Sequence, residues 1–271
     1  MGDLWLILAN VALPVCAGIT FFALARYASH IAPMRILVTG EKTYKGAAWG
    51  FSFFGAYLVT RPLQILLGPY PMPLVVNGIR EFCMMALFAP AVFVAMMSLC
   101  FGSDRIPKKL IYGIFSLGFV LGFVFVVLNA RAMGGTEVIF RLGSYRAYDG
   151  VWFKAQDPHS EALMSILFVI RFIDPLFLLL LAGVIVFRHA RHYPEEKGAV
   201  YDNMPKKLYF LSAAVFAFPV SMLITGILVL FFKIPNQWWI YYLGALISGF
   251  LEAVSLSLPV RRDVQVSEHA R

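Results

Sequence analysis

Seven long apolar runs constrain the fold of this 271-residue chain more than any other feature. A transmembrane helix needs about 17 to 25 predominantly apolar residues, and runs of that length recur along almost the whole sequence. Only 14% of the residues are charged, against roughly 25% in an average soluble domain. The runs are 4–25, 47–67, 82–101 (or from 74, if the flanking residues are included), 108–128, 162–187, 208–232 and 237–258.

This pattern predicts an all-α polytopic membrane protein. Residues 1–258 would form a single domain, a seven-transmembrane helix bundle, and residues 259–271 a short tail. No Lys or Arg precedes the first apolar run, so we expect an uncleaved first helix rather than a signal peptide. The loops between the runs are too short to hold a soluble domain.

The distribution of Lys and Arg predicts that the N-terminus lies outside and the C-terminus in the cytoplasm. With this orientation the cytoplasmic segments carry 15 of the 23 basic residues, as the positive-inside rule requires. These segments are 26–46, 102–109, 188–207 and 259–271. The formal charge of +8 then needs no nucleic-acid partner, because basic segments face an anionic leaflet. The absence of an Asn-x-Ser/Thr sequon favours the cell (cytoplasmic or inner) membrane of a bacterium or archaeon.

The longest predicted outer loop, 129–160, has the composition of a β-hairpin. Residues 138–142 and 151–153 are rich in β-branched and aromatic side chains, and 143–150 supply turn residues. We therefore expect a short hairpin over the outer mouth of the bundle. The alternative is a belt of aromatic side chains at the level of the lipid head groups. Its members would be Tyr145, Tyr148, Trp152 and Phe153.

Ionisable residues inside or beside the apolar runs predict a binding site. An Arg or Asp at the centre of a membrane helix costs about 2.5 to 3.5 kcal/mol, so each needs a partner or a function. The candidate ligand-binding residues are Arg61, Asn77, Arg80, Glu81, Arg171 and Asp174. Arg171 and Asp174 are three residues apart and would share one helix face. The prolines that follow Arg61 and Asp174 predict kinks.

If the five charged candidates converge, three arginines and two carboxylates leave a net charge of +1. The surplus guanidinium would accept a carboxylate or phosphate, whose geometry its planar fork matches. The alternative is purely structural. In that case Arg171 and Asp174 would pair on their own helix, Arg61 would extend towards the membrane surface, and Arg80 and Glu81 would lie in an ordinary outer loop.

Several chemistries are disfavoured by the residues present. The five histidines lie outside the apolar runs, so axial ligands for haem are missing. The last run has no lysine to form a retinal Schiff base. No cluster of Cys, His or carboxylates has the spacing of a metal site, and no motif indicates an enzyme. A bound quinone stays open.

Three classes of function fit these observations. We favour a sensor or receptor-like signalling protein, which binds a small anionic or amphipathic ligand in the outer half of the bundle. Cytoplasmic or membrane partners would then contact 188–207 and 259–271. The first alternative is a small-solute transporter or channel with an anion-binding site, in which proline-interrupted helices would form the site. The second is a membrane anchor subunit of a larger redox or biosynthetic complex.

Overall fold

The computed structural model describes residues 2–31, 41–69, 71–102, 105–142, 144–152, 158–197, 201–230, 232, 237–258 and 261–262. The α-helices are α1 (Gly2–Ile7), α2 (Leu13–Arg26), α3 (Glu41–Leu66), α4 (Met72–Cys83), α5 (Ala89–Phe101), α6 (Lys108–Ala132), α7 (Pro158–Arg171), α8 (Leu178–Lys197), α9 (Met204–Leu230) and α10 (Trp238–Ser257). Wider π-helical turns follow α1, α2, α4 and α7, at Leu8–Ala12, Tyr27–Ile31, Met84–Phe88 and Phe172–Phe177.

Within the described residues, six helical segments are long and apolar enough to cross a membrane. They are Leu4–His30, Met72–Phe101, Lys108–Arg131, Ile166–Tyr193, Met204–Leu228 and Trp238–Ser257. Helix α3 covers the predicted run 47–67 and is 26 residues long, or about 39 Å at the helical rise, but it is not among the six. The structure thus supports a multi-pass membrane protein with six or seven spanning helices.

The third spanning segment begins earlier than residue 82. Met72–Cys83 is helical and continues through a π-helical turn into α5, which agrees with the longer version of the predicted run. Pro73 lies in the first turn of α4, where the missing proline N–H costs no hydrogen bond. Arg80 and Glu81 are therefore helical and buried, and their placement in an ordinary outer loop is wrong.

The fifth apolar run is interrupted, as its proline predicts. Asp174 has φ −147° and ψ 117°, far from helical values, and it separates α7 from α8. A proline disfavours the helical conformation of the residue before it, so Pro175 accounts for the break. At Pro62, by contrast, α3 continues to Leu66 as one helix. Only one of the two prolines therefore ends regular helix.

The predicted hairpin is present within 133–152. Strand β1 (Met133–Leu142) pairs antiparallel with β2 (Tyr145–Trp152), and the last pair joins Leu142 to Tyr145. Most of the predicted turn 143–150 is thus strand. Paired residues Phe140 and Ala147 are buried against Ile65 of α3, and burial of this face explains why the pairing extends so far. Of the predicted aromatic belt, Phe153 lies outside the described residues.

The segment 188–207 is mostly helical, although we predicted a loop. Helix α8 continues to Lys197 and α9 begins at Met204. Between them the short strand β3 (Tyr201–Asp202) pairs with β4 (Arg261–Arg262) from the chain's last residues. The segments 188–207 and 259–271, which we predicted to bind partners, are therefore joined by backbone pairing of β3 with β4. The remainder of the predicted tail, 263–271, lies outside the described residues.

Aromatic side chains fill the centre of the bundle. The ring of Phe54 stacks on Phe88 at 4.2 Å and meets Phe21 and Phe218 edge-on at 4.6 Å each. Helices α2 and α3 pack closely beside this group, because a Cβ on Gly18 would lie 2.5 Å from the Val59 side chain. Such small residues let membrane helices approach each other. These rings form a layer of packed aromatic side chains in the core of the bundle.

Candidate functional site

Three helices bring the predicted charges together near the end of the bundle that carries the hairpin, called here the hairpin end. Arg61 lies on α3, Arg80 and Glu81 lie on α4, and Arg171 is the last residue of α7. Glu81 lies nine residues after Met72, or about 14 Å along the helix. These residues, with Tyr57 and Gln64 of α3, are called the arginine cluster below.

Glu81 is the only carboxylate in the arginine cluster. Its Oε1 forms an ion pair with Arg171 Nη2 and accepts a hydrogen bond from the Tyr57 hydroxyl at 3.5 Å. The Arg171 guanidinium also lies 5.4 Å from the ring centre of Phe125 on α6, a cation–π arrangement. Glu81 is 3% exposed and the Arg171 side chain is 24% exposed, so the carboxylate is the better shielded partner of this ion pair.

Arg80 is held by contacts with α3. Its Nε donates to the Tyr57 carbonyl oxygen at 3.0 Å, and its Nη1 donates to Gln64 Oε1. The guanidinium also lies over the Tyr57 ring at 4.5 Å. Its third nitrogen, Nη2, is buried without a hydrogen-bond partner among the described residues. Arg80 thus keeps one donor for a further acceptor.

Arg61 ties the arginine cluster to the N-terminal segment. Its Nη2 donates to Asn10 Oδ1 at 2.9 Å, and Asn10 Nδ2 donates to the Leu6 carbonyl oxygen at 3.0 Å. Arg61 is 5% exposed, so the alternative in which it extends to the membrane surface is wrong. Gln64, one turn after Arg61 on α3, accepts the hydrogen bond from Arg80 described above.

Asn77 is buried on α4, one turn before Arg80. It is 4% exposed, and its Nδ2 has no hydrogen-bond partner in the described part of the chain. Spacing of three residues places Asn77 and Arg80 on one face of the helix. Asn77 therefore remains a candidate contact for a ligand.

Asp174 does not pair with Arg171. Both carboxylate oxygens of this fully buried residue lack hydrogen-bond partners among the described residues. Its Oδ2 points towards α6, where a Cβ placed on Gly118 would lie 3.4 Å away. The expectation of a shared face assumed a continuous helix, and the break at Asp174 removes that periodicity. The same-helix pairing is wrong, and Arg171 pairs with Glu81 instead.

This arrangement changes the charge balance of the site. Three arginines and one carboxylate give 3 − 1 = +2, whereas the sequence predicted +1 with Asp174 included. Among the described residues, Arg80 Nη2 and Arg171 Nε are buried without partners. Buried polar groups are normally satisfied, so both donors are available to an acceptor that does not belong to the described residues. The basic character suits an anion rather than a metal ion.

Sequence reasoning missed three members of this network: Asn10, Tyr57 and Gln64. Asn10 is an isolated amide in the first apolar run, and Gln64 lies one helical turn after Arg61. Polar residues at such positions are expected to bond across helices, so both gave a usable signal. Tyr57 gave none, because a tyrosine in an apolar run is equally typical of simple packing.

No protein-family model matches the chain, and a search of the curated proteins finds no match either. The function is therefore inferred from the chemistry of the arginine cluster.

Proposed function

We propose that the protein is a membrane sensor that binds the anionic head group of a small molecule at the arginine cluster. The observation that supports this most directly is the pair of buried guanidinium donors, Arg80 Nη2 and Arg171 Nε, that lack acceptors among the described residues. A carboxylate or phosphate oxygen within reach of either donor would form a charge-assisted hydrogen bond with it. The surplus of positive charge favours the same ligands.

The proposal includes an orientation. The N-terminus and the hairpin lie outside, which puts the arginine cluster in the outer half of the membrane. The segments 188–207 and 259–271 then face the cytoplasm, where the pairing of β3 with β4 joins them. Their basic residues would contact a cytoplasmic or membrane partner that receives the signal.

The location of the arginine cluster favours a sensor over a carrier. Below it, the rings of Phe54, Phe21, Phe88 and Phe218 pack against one another, so a solute on this path would have to displace apolar side chains. A carrier is supported by one observation, the broken helix beside the unpartnered carboxylate of Asp174, since interrupted helices form the substrate sites of many transporters. No comparable observation supports an anchor subunit.

Ligand-dependent stability tests the anion site. We expect small carboxylates or phosphates to raise the unfolding temperature of the purified protein, because a ligand bound only by the folded state adds about 2.7 kcal/mol at a hundred times its dissociation constant. Arg80→Lys keeps the charge but loses the planar fork, so it should weaken the shift, and Arg80→Gln should abolish it. Arg131→Gln removes an exposed arginine and serves as the control.

Stabilisation that is equal in the parent and in Arg80→Gln would contradict the site. Anion-driven flux into liposomes, measured on the same preparations, separates the two leading functions. Flux that requires Arg80 would favour the carrier. Binding without flux would favour the sensor.

Reporter fusions test the orientation. An enzyme active only outside the cytoplasm should work when it is fused after Asp149 in β2 and should fail when it is fused after Glu196 in α8. The opposite pattern would place the arginine cluster in the inner half of the membrane.

A further inference from the structure

The members of the arginine cluster are not equally buried. Arg61, Arg80 and Glu81 are 3 to 5% exposed, whereas the Arg171 side chain is 24% exposed. Of these four charged residues, Arg171 is therefore the one most accessible to a ligand from outside the protein. The surroundings of this residue show from which direction it comes.

The hairpin closes the direct route from the end of the bundle. Ile65, Phe140 and Ala147 are each at most 2% exposed, and they pack together with Leu6 and Ile7 of α1. This apolar plug covers the end of α3, the helix that carries Arg61 and Gln64. A ligand from the aqueous side would have to displace it.

Arg171 is instead exposed along the side of the bundle. It is the last residue of α7, thirteen residues after Pro158, or about 20 Å along the helix. The buried face of α7 contains Leu167 and Ile170, and its outer face contains Val169, which is 53% exposed. Arg171 lies on the flank between these two faces.

Helix α9 lies across this flank. A Cβ placed on Gly226 of α9 would lie 3.5 Å from Phe168 Cε2 of α7, and Phe168 precedes Arg171 by one turn. Ile227, the residue of α9 that follows Gly226, is exposed and apolar. We call this line of contact the α7–α9 seam. The seam begins beside the Arg171 guanidinium and continues along apolar side chains that suit the hydrocarbon of a membrane.

We propose that the α7–α9 seam is a lateral entrance from the bilayer, and that the ligand is a single-chain amphiphile with a carboxylate or phosphate head. The head group binds Arg171 and Arg80, and the alkyl chain lies along the seam among apolar side chains. This inference rests on the proposed anion site and adds the class of ligand and its route. A membrane-exposed arginine gains from such a ligand, because the head group replaces the water that hydrocarbon cannot supply.

A chain-length series tests the inference on the full-length purified protein. The probes are alkyl carboxylates of increasing length below their micelle concentrations, each compared with the alcohol of equal length. We expect the dissociation constant to fall roughly fourfold per added methylene if the chain is buried along the seam. The alcohols should bind far more weakly at every length, because they lack the anionic head.

A matched pair of glycine variants locates the chain. Gly226→Leu would fill the seam, so it should remove the gain in affinity with chain length. Gly113→Leu adds the same side chain on α6, where a Cβ would meet no atom within 4 Å, and should behave like the parent.

Each outcome has a distinct meaning. Carboxylate binding that does not depend on chain length would overturn the lateral entrance and leave the anion site intact. Equal effects of Gly226→Leu and Gly113→Leu would overturn the seam as the location of the chain. No binding of any carboxylate would overturn the anion site and the entrance together. If Gly226→Leu does not fold, the chain-length series in the parent still decides the class of ligand.

Discussion

Buried charges occur in both halves of the bundle, but their surroundings differ. In the hairpin half, Glu81 contacts Arg171 and Tyr57, and Arg80 is held by three separate contacts with α3. In the opposite half, Glu252 and Lys207 are 3% and 7% exposed, and Glu252 Oε2 and Lys207 Nζ have no hydrogen-bond partners among the described residues. Both halves therefore contain buried charged residues. In the hairpin half these residues are joined in one network of contacts, whereas in the opposite half the described residues show no such network around Glu252 and Lys207.

The surroundings of Glu252 explain the difference. It lines a cavity of about 10 Å³ together with Ser248 and apolar side chains that include Phe21 and Phe218, which is room for about one water molecule. The described lining contains no basic side chain. In the arginine cluster each charge contacts other protein groups, so removing one group leaves its partner buried without compensation.

The largest expected effect is therefore on Glu81. Glu81→Gln removes the only carboxylate of the arginine cluster and should destabilise the protein by about 3 to 5 kcal/mol, as loss of one partner of a buried pair does. Glu252→Gln, the matched change in the opposite half, should alter stability by less than about 1 kcal/mol because Oε2 makes no hydrogen bond that the amide would lose. Reversible unfolding in mixed micelles measures both. Similar losses of stability in Glu81→Gln and Glu252→Gln would show that the buried charges of the two halves contribute alike to folding.

A double-mutant cycle sharpens the role of Arg171. Arg171→Gln alone should cost about 2 to 4 kcal/mol, slightly less than Glu81→Gln, because the Arg171 side chain is partly exposed. The double variant should lose less than the sum of the single losses, by about 1 to 3 kcal/mol, since the two residues contact each other directly. Additive losses would show that the ion pair does not contribute to folding.

Asp174 should behave differently from Glu81, although both carboxyl groups are buried. Asp174→Asn should change stability by about 1 kcal/mol or less, because neither carboxylate oxygen has a described partner to lose. Combining it with Arg171→Gln should give additive effects. If Asp174 and Arg171 instead show a coupling energy near that of the Glu81–Arg171 pair, Arg171 pairs with Asp174 on its own helix after all.

The smallest effect is expected at Lys207. Lys207→Met keeps the length of the side chain and removes a buried ammonium whose nitrogen has no described partner. The change should be neutral or stabilising by up to about 1 kcal/mol, since apolar replacements of buried ions often are. A clear loss of stability in Lys207→Met would mean that buried charges stabilise the fold in both halves.

The apolar runs were sufficient to predict a multi-pass helical membrane protein, because hydrocarbon leaves the backbone little choice but helix. The charges within the runs also pointed to Arg61, Arg80, Glu81 and Arg171, which the structure brings to one end of the bundle. Their partners were harder to predict. The i, i+3 rule paired Arg171 with Asp174, whereas the structure pairs it with a residue ninety positions earlier in the chain.

That error has a physical cause. Sequence spacing determines a helix face only while the helix continues, and Pro175 forces Asp174 out of helical geometry. The contact between Arg61 and Asn10 was missed for a related reason. It depends on how α3 packs against the first helical segment, and periodicity within one helix carries no information about that packing.

Helix α3 is unbroken from Glu41 to Leu66, and this has a mechanical consequence. It carries Tyr57, Arg61 and Gln64 at one end and reaches the far side of the bundle at the other. A rotation of α7 would not be transmitted to α8, because the helix is broken at Asp174. A shift of Arg80 against Tyr57 would instead move α3, a continuous helix about 39 Å long. The movement would then reach the opposite end of the bundle.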